Sequence, residues 1–433
     1  MENPKKIGLF TLSMIVIGSM IGSGILLLPR QILPFGLAGT FGWILSGICS
    51  FILARIFVNI MLATPSSSGI AQFIAQESGL QASFLAGLSH VAYMIIASSL
   101  ILFAFIEYLS DFFGISDPIY QFIIAIITVI GLSITHYMTS AGFQILSTIT
   151  VMKILLFGLC AILGITEFNL GNILSHSSHE SIDSISIISV ITKTIQASSV
   201  AIFAFAGIEN AAASSDIVDR PHSTVPNATM IGMAVCSFIY LFTHICVVNA
   251  LGSKVDSAPP VKTALVSLIT GKFGEDAGMW IGIFVSIIAI LGCLGTLLAV
   301  LFVAPNVMLD TIRMADSSIK PHRSKTGLPA YMSLICAAII VALTAAKYIF
   351  NVDLTYLQST TSFLLLYFYF SCVIAHFKAV KKTLISLLGF GACMILLVGC
   401  DATSVFIGTI IQLLGQILFV ILSKRASVRI KNS

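Results

Sequence analysis

Two ionisable residues stand where their surroundings make them costly. Lys153 lies well inside the apolar run Ile149-Thr-Val-Met-Lys-Ile-Leu-Leu156, and an ammonium at membrane depth is expected to face a cavity or the interior of a helix bundle. The alternative is a side chain that snorkels its charge to a surface. Glu209 follows the stretch Phe203-Ala-Phe-Ala-Gly-Ile. A carboxyl two residues past a glycine break either accepts the backbone amides that the break frees or exchanges a proton. The third feature is Ile17-Gly-Ser-Met-Ile-Gly-Ser-Gly-Ile25, with three glycines and two serines in an apolar segment. Each glycine costs a helix about 1 kcal/mol against alanine, and Gly22-Ser-Gly24 leaves helical geometry cheaply. A helix broken inside hydrocarbon is tolerated only where protein or a watery cavity covers the break. The freed amides of Ser23, Gly24 and Ile25 would then form the positive end of a second half-helix, which attracts a carboxylate. Small residues also let membrane helices pack closely, so a packing site is the competing reading of this stretch.

The elements that must hold these residues are membrane spans. A chain of 433 residues with 57% hydrophobic and 9% charged residues and mean hydropathy +1.04 is not a soluble domain, since such domains carry about 25% charged residues. Runs of about 20 apolar residues read as spanning helices. Twelve are expected, near 7–33, 38–63, 83–112, 118–138, 142–166, 191–216, 226–251, 278–312, 328–349, 354–377, 384–400 and 402–423. The last two are divided by little more than Asp401, where a helical hairpin is the alternative. Spans 83–112 and 278–312 exceed a straight crossing and imply tilt or short extensions. The first apolar stretch is too long for a cleavable signal peptide and carries no small-residue cleavage site. The nine cysteines lie in apolar segments without a CxxC pair, which suits small core or lipid-facing residues, neither disulfides nor metal ligands.

Charge sets the expected orientation. With the N-terminus inside, fourteen of the 22 Lys and Arg residues fall on the cytoplasmic side and six outside, while Arg55 and Lys153 lie within spans. That bias supports a multi-pass protein of the cytoplasmic (inner) membrane with both termini cytoplasmic. The chain also repeats itself: Gly22 and Gly207 each interrupt a span at a similar depth, five spans apart. Interrupted spans at matching positions in two halves point to an inverted-repeat transporter with its site at midplane. This favours binding over packing for the first glycine stretch.

Ile21-Gly-Ser-Gly-Ile25 followed by Leu28-Pro29, and Phe203-x-Phe-x-Gly-x-Glu209, resemble the amino acid–polyamine–organocation (APC) superfamily. Within it the chain resembles most the basic amino acid/polyamine antiporters of the arginine/agmatine type. Gly36-Leu-Ala, Gly42-Trp43, Pro65, Gly69 and Gly292-Cys-Leu-Gly295 extend the match over essentially the whole chain. The resemblance implies an all-α membrane protein with a LeuT-like 5+5 inverted repeat. Helices 1–5 (7–166) and 6–10 (191–377) form the halves, helices 1 and 6 are discontinuous, and 384–423 adds two helices. It implies alternating-access transport of an amino acid or polyamine, by antiport or proton coupling. Ser23 and Gly24, flanked by Gly22 and Ile25, would hold a substrate carboxylate. The carbonyls of Met20, Phe203 and Ala206, beside Gly207, would hold an α-amino group. Lys153 would occupy the space that sodium fills in sodium-coupled relatives, touch the first break and couple protonation to opening. Glu209 would act as gate and pH sensor, Tyr93 as a gating tyrosine, and Tyr367 or Tyr369 in a similar role. Phe203 replaces a gating tryptophan and Val300 another aromatic residue, which favours a smaller or more apolar substrate side chain than arginine.

The remaining ionisable residues carry weaker expectations. His90, His136 and His376 read as interfacial or hydrogen-bonded; His244 is deeper, with a position facing the core as the less favoured reading. Glu107 and Asp310 sit toward span ends, and Arg55 snorkels to the cytoplasmic face. The loop Ser175-His-Ser-Ser-His-Glu-Ser181 reads as solvated rather than metal-binding. No cofactor or metal is implied; the expected partners are a small-molecule substrate, protons and the lipid bilayer, with no nucleic acid, and a homodimer is compatible with the resemblance. An intramembrane enzyme is the main alternative class, yet no HExxH, GxSxG or paired His/Asp box is present. A channel or sensor on the same scaffold is the other.

Overall fold

The computed structural model describes residues 8–22, 24–64, 69–138, 142–169, 186–209, 218, 220–251, 259–319, 329–350, 352–380 and 383–432, without the side chains of 135–148 and 428–432. The glycine-rich first span is two helices, α1 (Leu9–Met20) and α2 (Gly24–Ile32), bent by 44°. Then come α3 (Leu37–Ala63), α4 (Gly69–Ser78), α5 (Leu80–Phe113), α6 (Pro118–Met138) and α7 (Gly142–Thr166). The second half follows with α8 (Ile187–Ala201), which tightens into a 3-10 turn at Ile202–Phe205, and continues with α9 (Pro221–Leu251), α10 (Pro260–Phe273) and α11 (Glu275–Ala315). The chain closes with α12 (Ala330–Phe350), α13 (Leu354–Ala379), α14 (Leu384–Val398) and α15 (Ala402–Asn432).

Among the described residues nine helices are long and apolar enough to cross a membrane, and the bent α1–α2 pair makes a tenth. The shorter apolar helices at Pro118–Ile134 and Leu384–Val398 bring the apolar segments to the twelve expected. Asp401 separates the last two as a true helix start: its carboxylate accepts Ser404 N–H at 2.9 Å and Ser404 Oγ–H at 2.6 Å, which caps donors that α15 leaves without intrahelical partners. Helices α5 and α11, 34 and 41 residues long, run beyond the expected limits at both ends.

Two helices lie outside the twelve. Helix α4 follows the second span of the first half and α10 follows the second span of the second half. Their matching places repeat the internal symmetry already seen in the glycine breaks. Packing divides the bundle. Helices α1, α3, α8 and α9 pack on one another, while α5 packs along α11 and α6 along α12. The two sets meet around the breaks, where α13 also lies against α5. One end of the bundle is tied by ion pairs: Arg30–Glu107 at 2.6 Å, Lys262–Asp111 and Lys272–Glu167.

Candidate functional site

The first break is a local consequence of its glycines. After Met20 the chain turns at Ile21 (φ −73°, ψ 82°), and Gly22 N–H donates back to the Met20 carbonyl at 2.8 Å. This is an inverse γ-turn. It ends α1, and α2 starts afresh at Gly24. The first amides of α2 therefore have no helical partner on their own helix. Ser23 lies outside the described residues, while Ile25 and Met20 are buried beside the turn.

The second break uses a different device. The 3-10 turn ends at Ala206, which is extended (ψ 138°), and Gly207 takes φ 109°. Only glycine adopts that backbone without strain. Phe203 carbonyl accepts Ala206 N–H at 3.2 Å, and Tyr240 Oη–H donates to the Ala204 carbonyl at 2.9 Å. Phe205 packs edge-on to Tyr240 and Trp43, which anchors the turn on α9 and α3.

The two breaks touch. A β-carbon on Gly24 would stand 3.0 Å from Ala204 Cα, and one on Gly207 would stand 2.9 Å from the Ser19 carbonyl oxygen. Ser19 Oγ–H bridges the seam to the Gly207 carbonyl at 3.1 Å. Backbone meets backbone here because the residues at the contact are Gly24, Ala204, Ser19 and Gly207, too small to hold the helices apart.

Lys153 joins this seam from α7. Its Nζ donates to the Ile21 carbonyl at 2.8 Å and to Thr296 Oγ1 of α11 at 2.7 Å, and the residue is buried. Thr296 in turn donates to the Gly292 carbonyl at 2.9 Å. The lysine stem fills an alcove that Gly292 leaves open, since a β-carbon there would stand 2.9 Å from Lys153 Cε. The snorkelling alternative is thereby excluded, and the glycine motif of α11 acquires a physical purpose.

Glu209 takes the acceptor role among the two readings of it. Its carboxylate accepts Gly207 N–H at 3.2 and 3.1 Å, satisfying an amide freed by the break. The same carboxylate accepts Tyr93 Oη–H from α5 and Tyr369 Oη–H from α13 at 2.9 Å. It thus ties three elements together in a buried layer directly beside the seam. Of the two tyrosines considered on α13, Tyr369 belongs to this layer. Tyr367 is half-buried, and no contact joins it to Glu209 among the described residues. Val300 is partly buried against the core.

Reading by sequence missed three participants. Thr296 sits one turn past Gly292, Tyr240 sits in α9 facing the second break, and His90 sits one turn before Tyr93. The expectation that His90 is interfacial is wrong: the ring is buried, with Nε2 4.0 Å from Glu209 Oε1. Helix α5 begins three residues before the expected span, which carries His90 inward. The i, i+3 spacing to Tyr93 puts both on one helix face. His376 is hydrogen-bonded as expected, to Asn59 and Ser386 at 3.2 and 2.8 Å. His244 takes the less favoured position and faces the core, buried against Trp43. Arg55 is exposed. The His136 side chain and the loop at 175–181 lie outside the described residues.

Two helices broken at matching points of two half-repeats, with their ends in contact, define the LeuT-type fold. The chain belongs to the amino acid permease family, whose model matches residues 7–430. It is 28% identical over 243 residues to a cadaverine/lysine antiporter of Escherichia coli K12, covering 56% of this chain and 53% of that protein. It is 23% identical over 307 residues to the putrescine transporter PotE of the same strain, covering 70% and 66%. The chain thus spans about half the length of the first of these relatives and about two thirds of the second. Its fold is shared by the Eremococcus coleocola manganese transporter (TM-score 0.61, 11% identity, 98% of this chain and 95% of that one). MhsT in complex with L-phenylalanine also shares it (TM-score 0.58, 13% identity, 98% and 100%).

Proposed function

We propose that this protein is a secondary active transporter that carries an amino acid or related amine across the cytoplasmic membrane by alternating access, as an amino acid/polyamine antiporter or a proton-coupled permease. The observation that carries this reading is the seam between the two broken helices, where half-helix ends of both signs converge in a buried place. The amides at the start of α2, which have no partner on their own helix, suit a carboxylate together with Ser23 and Gly24. The carbonyls of Met20, Phe203 and Ala206 suit an ammonium. Met20 and Phe203 already accept one local hydrogen bond each, and a carbonyl oxygen has a second lone pair for another donor. Family membership and similarity to a cadaverine/lysine antiporter and a putrescine transporter agree with such a substrate. Phe203 in place of an indole offers a weaker cation–π face, so a compact amine or amino acid suits the site better than arginine.

Lys153 is the group that couples protonation to the first break, and Glu209 with Tyr93 and Tyr369 is the gate beside the second. The half-repeats are 7–166 and 191–377, with 384–423 appended. The excess of Lys and Arg on one side supports a topology with both termini in the cytoplasm.

A thermal-shift screen of the detergent-purified protein against all amino acids and common polyamines tests the substrate class, because a ligand that binds the folded state raises its apparent stability by mass action. The stabilising compound, labelled and loaded outside proteoliposomes, is expected to exchange saturably against the same compound inside. Unsaturable ion flux with no exchange would refute the carrier reading.

A further inference from the structure

The layer around Glu209 holds a second titratable side chain. His90 is 9% exposed and its ring is held by aromatic neighbours on two helices. It stacks on Phe368 of α13 with centroids 4.3 Å apart and planes at 18°, and on Tyr93 at 5.3 Å and 12°. The stack leaves the ring little freedom and aims Nε2 at the carboxylate, 4.0 Å from Oε1. Among the described residues that nitrogen has no hydrogen-bond partner. A phenylalanine would fill the same stack without stranding a polar atom, and a buried polar atom without a partner is costly. The imidazole is therefore expensive as packing and is explained by the carboxyl it faces.

The other groups around this pair are few among the described residues. Tyr93 comes from α5, Tyr369 and the Cys372 thiol from α13, and the Gly207 amide from the break. Helix α11 offers the Thr311 hydroxyl against Gly87, α15 the Gln412 amide on Ser89, and α4 the Ala71 carbonyl on Ser83. Lys153 is committed to Ile21 and Thr296. No further carboxylate or cation competes for the imidazole in these contacts.

We propose that His90 is the proton partner of Glu209. The inference rests on the reading of Glu209 as a coupling group. When the gate opens and Tyr93 releases Oε1, a separation about 1 Å beyond hydrogen-bond reach closes. The O–H bond of the carboxylic acid breaks, an N–H bond forms at Nε2, and no electrons are exchanged. The product is a carboxylate–imidazolium pair of zero net charge, which a buried layer tolerates better than a lone carboxylate. His90 thereby gives the gate an exit for its proton on α5.

Infrared difference spectroscopy of the purified full-length protein, taken between acid and neutral pH, tests this. The protonated carboxyl band of Glu209 is identified by its disappearance in Glu209→Gln. In His90→Phe, which keeps the stack, the midpoint of that band's titration is expected to move by about one unit or more, as for any strongly coupled pair. An unmoved midpoint overturns the role of His90 and leaves the Glu209 reading standing. Absence of any titrating Glu209 band in the unmodified protein overturns both. Thermal unfolding checks that the variant is folded, and His90→Asn carries the same comparison should the phenylalanine variant not fold.

Discussion

Replacing Lys153 by Met separates stability from coupling. Methionine keeps an unbranched side chain in the alcove beside Gly292, so packing there changes little. It removes two hydrogen bonds from a charged donor, to Ile21 and to Thr296, each contributing about 1.5–3 kcal/mol. It also removes an ammonium from a buried position, where the desolvation cost is several kcal/mol. These terms oppose one another, so global stability is expected to change by less than about 2 kcal/mol. The turn at Ile21, by contrast, loses its hydrogen bond to α7. A loss of about 3 kcal/mol at the break shifts the population of its conformers by about a hundredfold. The assay pairs thermal unfolding in detergent with substrate exchange in proteoliposomes from about pH 5 to 8. The expected result is a folded protein whose exchange falls more than about tenfold and whose pH profile changes, keeping only the part set by Glu209. Exchange at the unmodified rate with an unmodified pH profile would refute the argument.

Further outcomes follow from the seam and the helix ends. Gly207→Ala forces a side chain onto φ 109° and puts its β-carbon 2.9 Å from the Ser19 carbonyl; strain alone costs about 1–3 kcal/mol, and both a lower unfolding temperature and lost exchange should be measured. Asp401→Ala removes the cap of α15 and should cost about 1 kcal/mol in thermal unfolding. Burial raises the Asp401 carboxyl, but hydrogen bonds from Ser404, Ser359 and Thr403 outweigh it and hold the group below its ordinary value of 3.8. A carboxyl depressed in the folded state adds stability above its unfolded value and loses it as the pH falls through the folded one. The stability difference between the two proteins should accordingly be constant near neutrality and shrink below about pH 4.

Much of the site was readable in the chain because hydrocarbon makes exceptions conspicuous. A lysine amid Ile149–Leu156 and glycines at 18, 22 and 24 stand out against apolar neighbours, and both lead to the observed seam. What stayed hidden depends on rotation about a helix axis. In Tyr367-Phe-Tyr-Phe370 every residue is aromatic, so composition does not say which tyrosine faces Glu209; the packing of α13 on α5 does. Helices α4 and α10, of 10 and 14 residues, are too short to register as spans and lack charge patterns that mark them as helices. His90 was misplaced because span ends are the least certain part of such a reading: α5 starts at Leu80 where the span was expected from 83.

The main-chain contact at Gly24–Ala204 and Ser19–Gly207 also constrains how the molecule moves. With no side chains between them to slide or compress, neither kinked helix tilts without dragging its counterpart. Together with α3 and α9, which grip them on either side, they make up a single stiff slab. Opposite that slab stand α5, α11 and α13, and the Glu209 carboxylate on one side is fastened to Tyr93 and Tyr369 on the other.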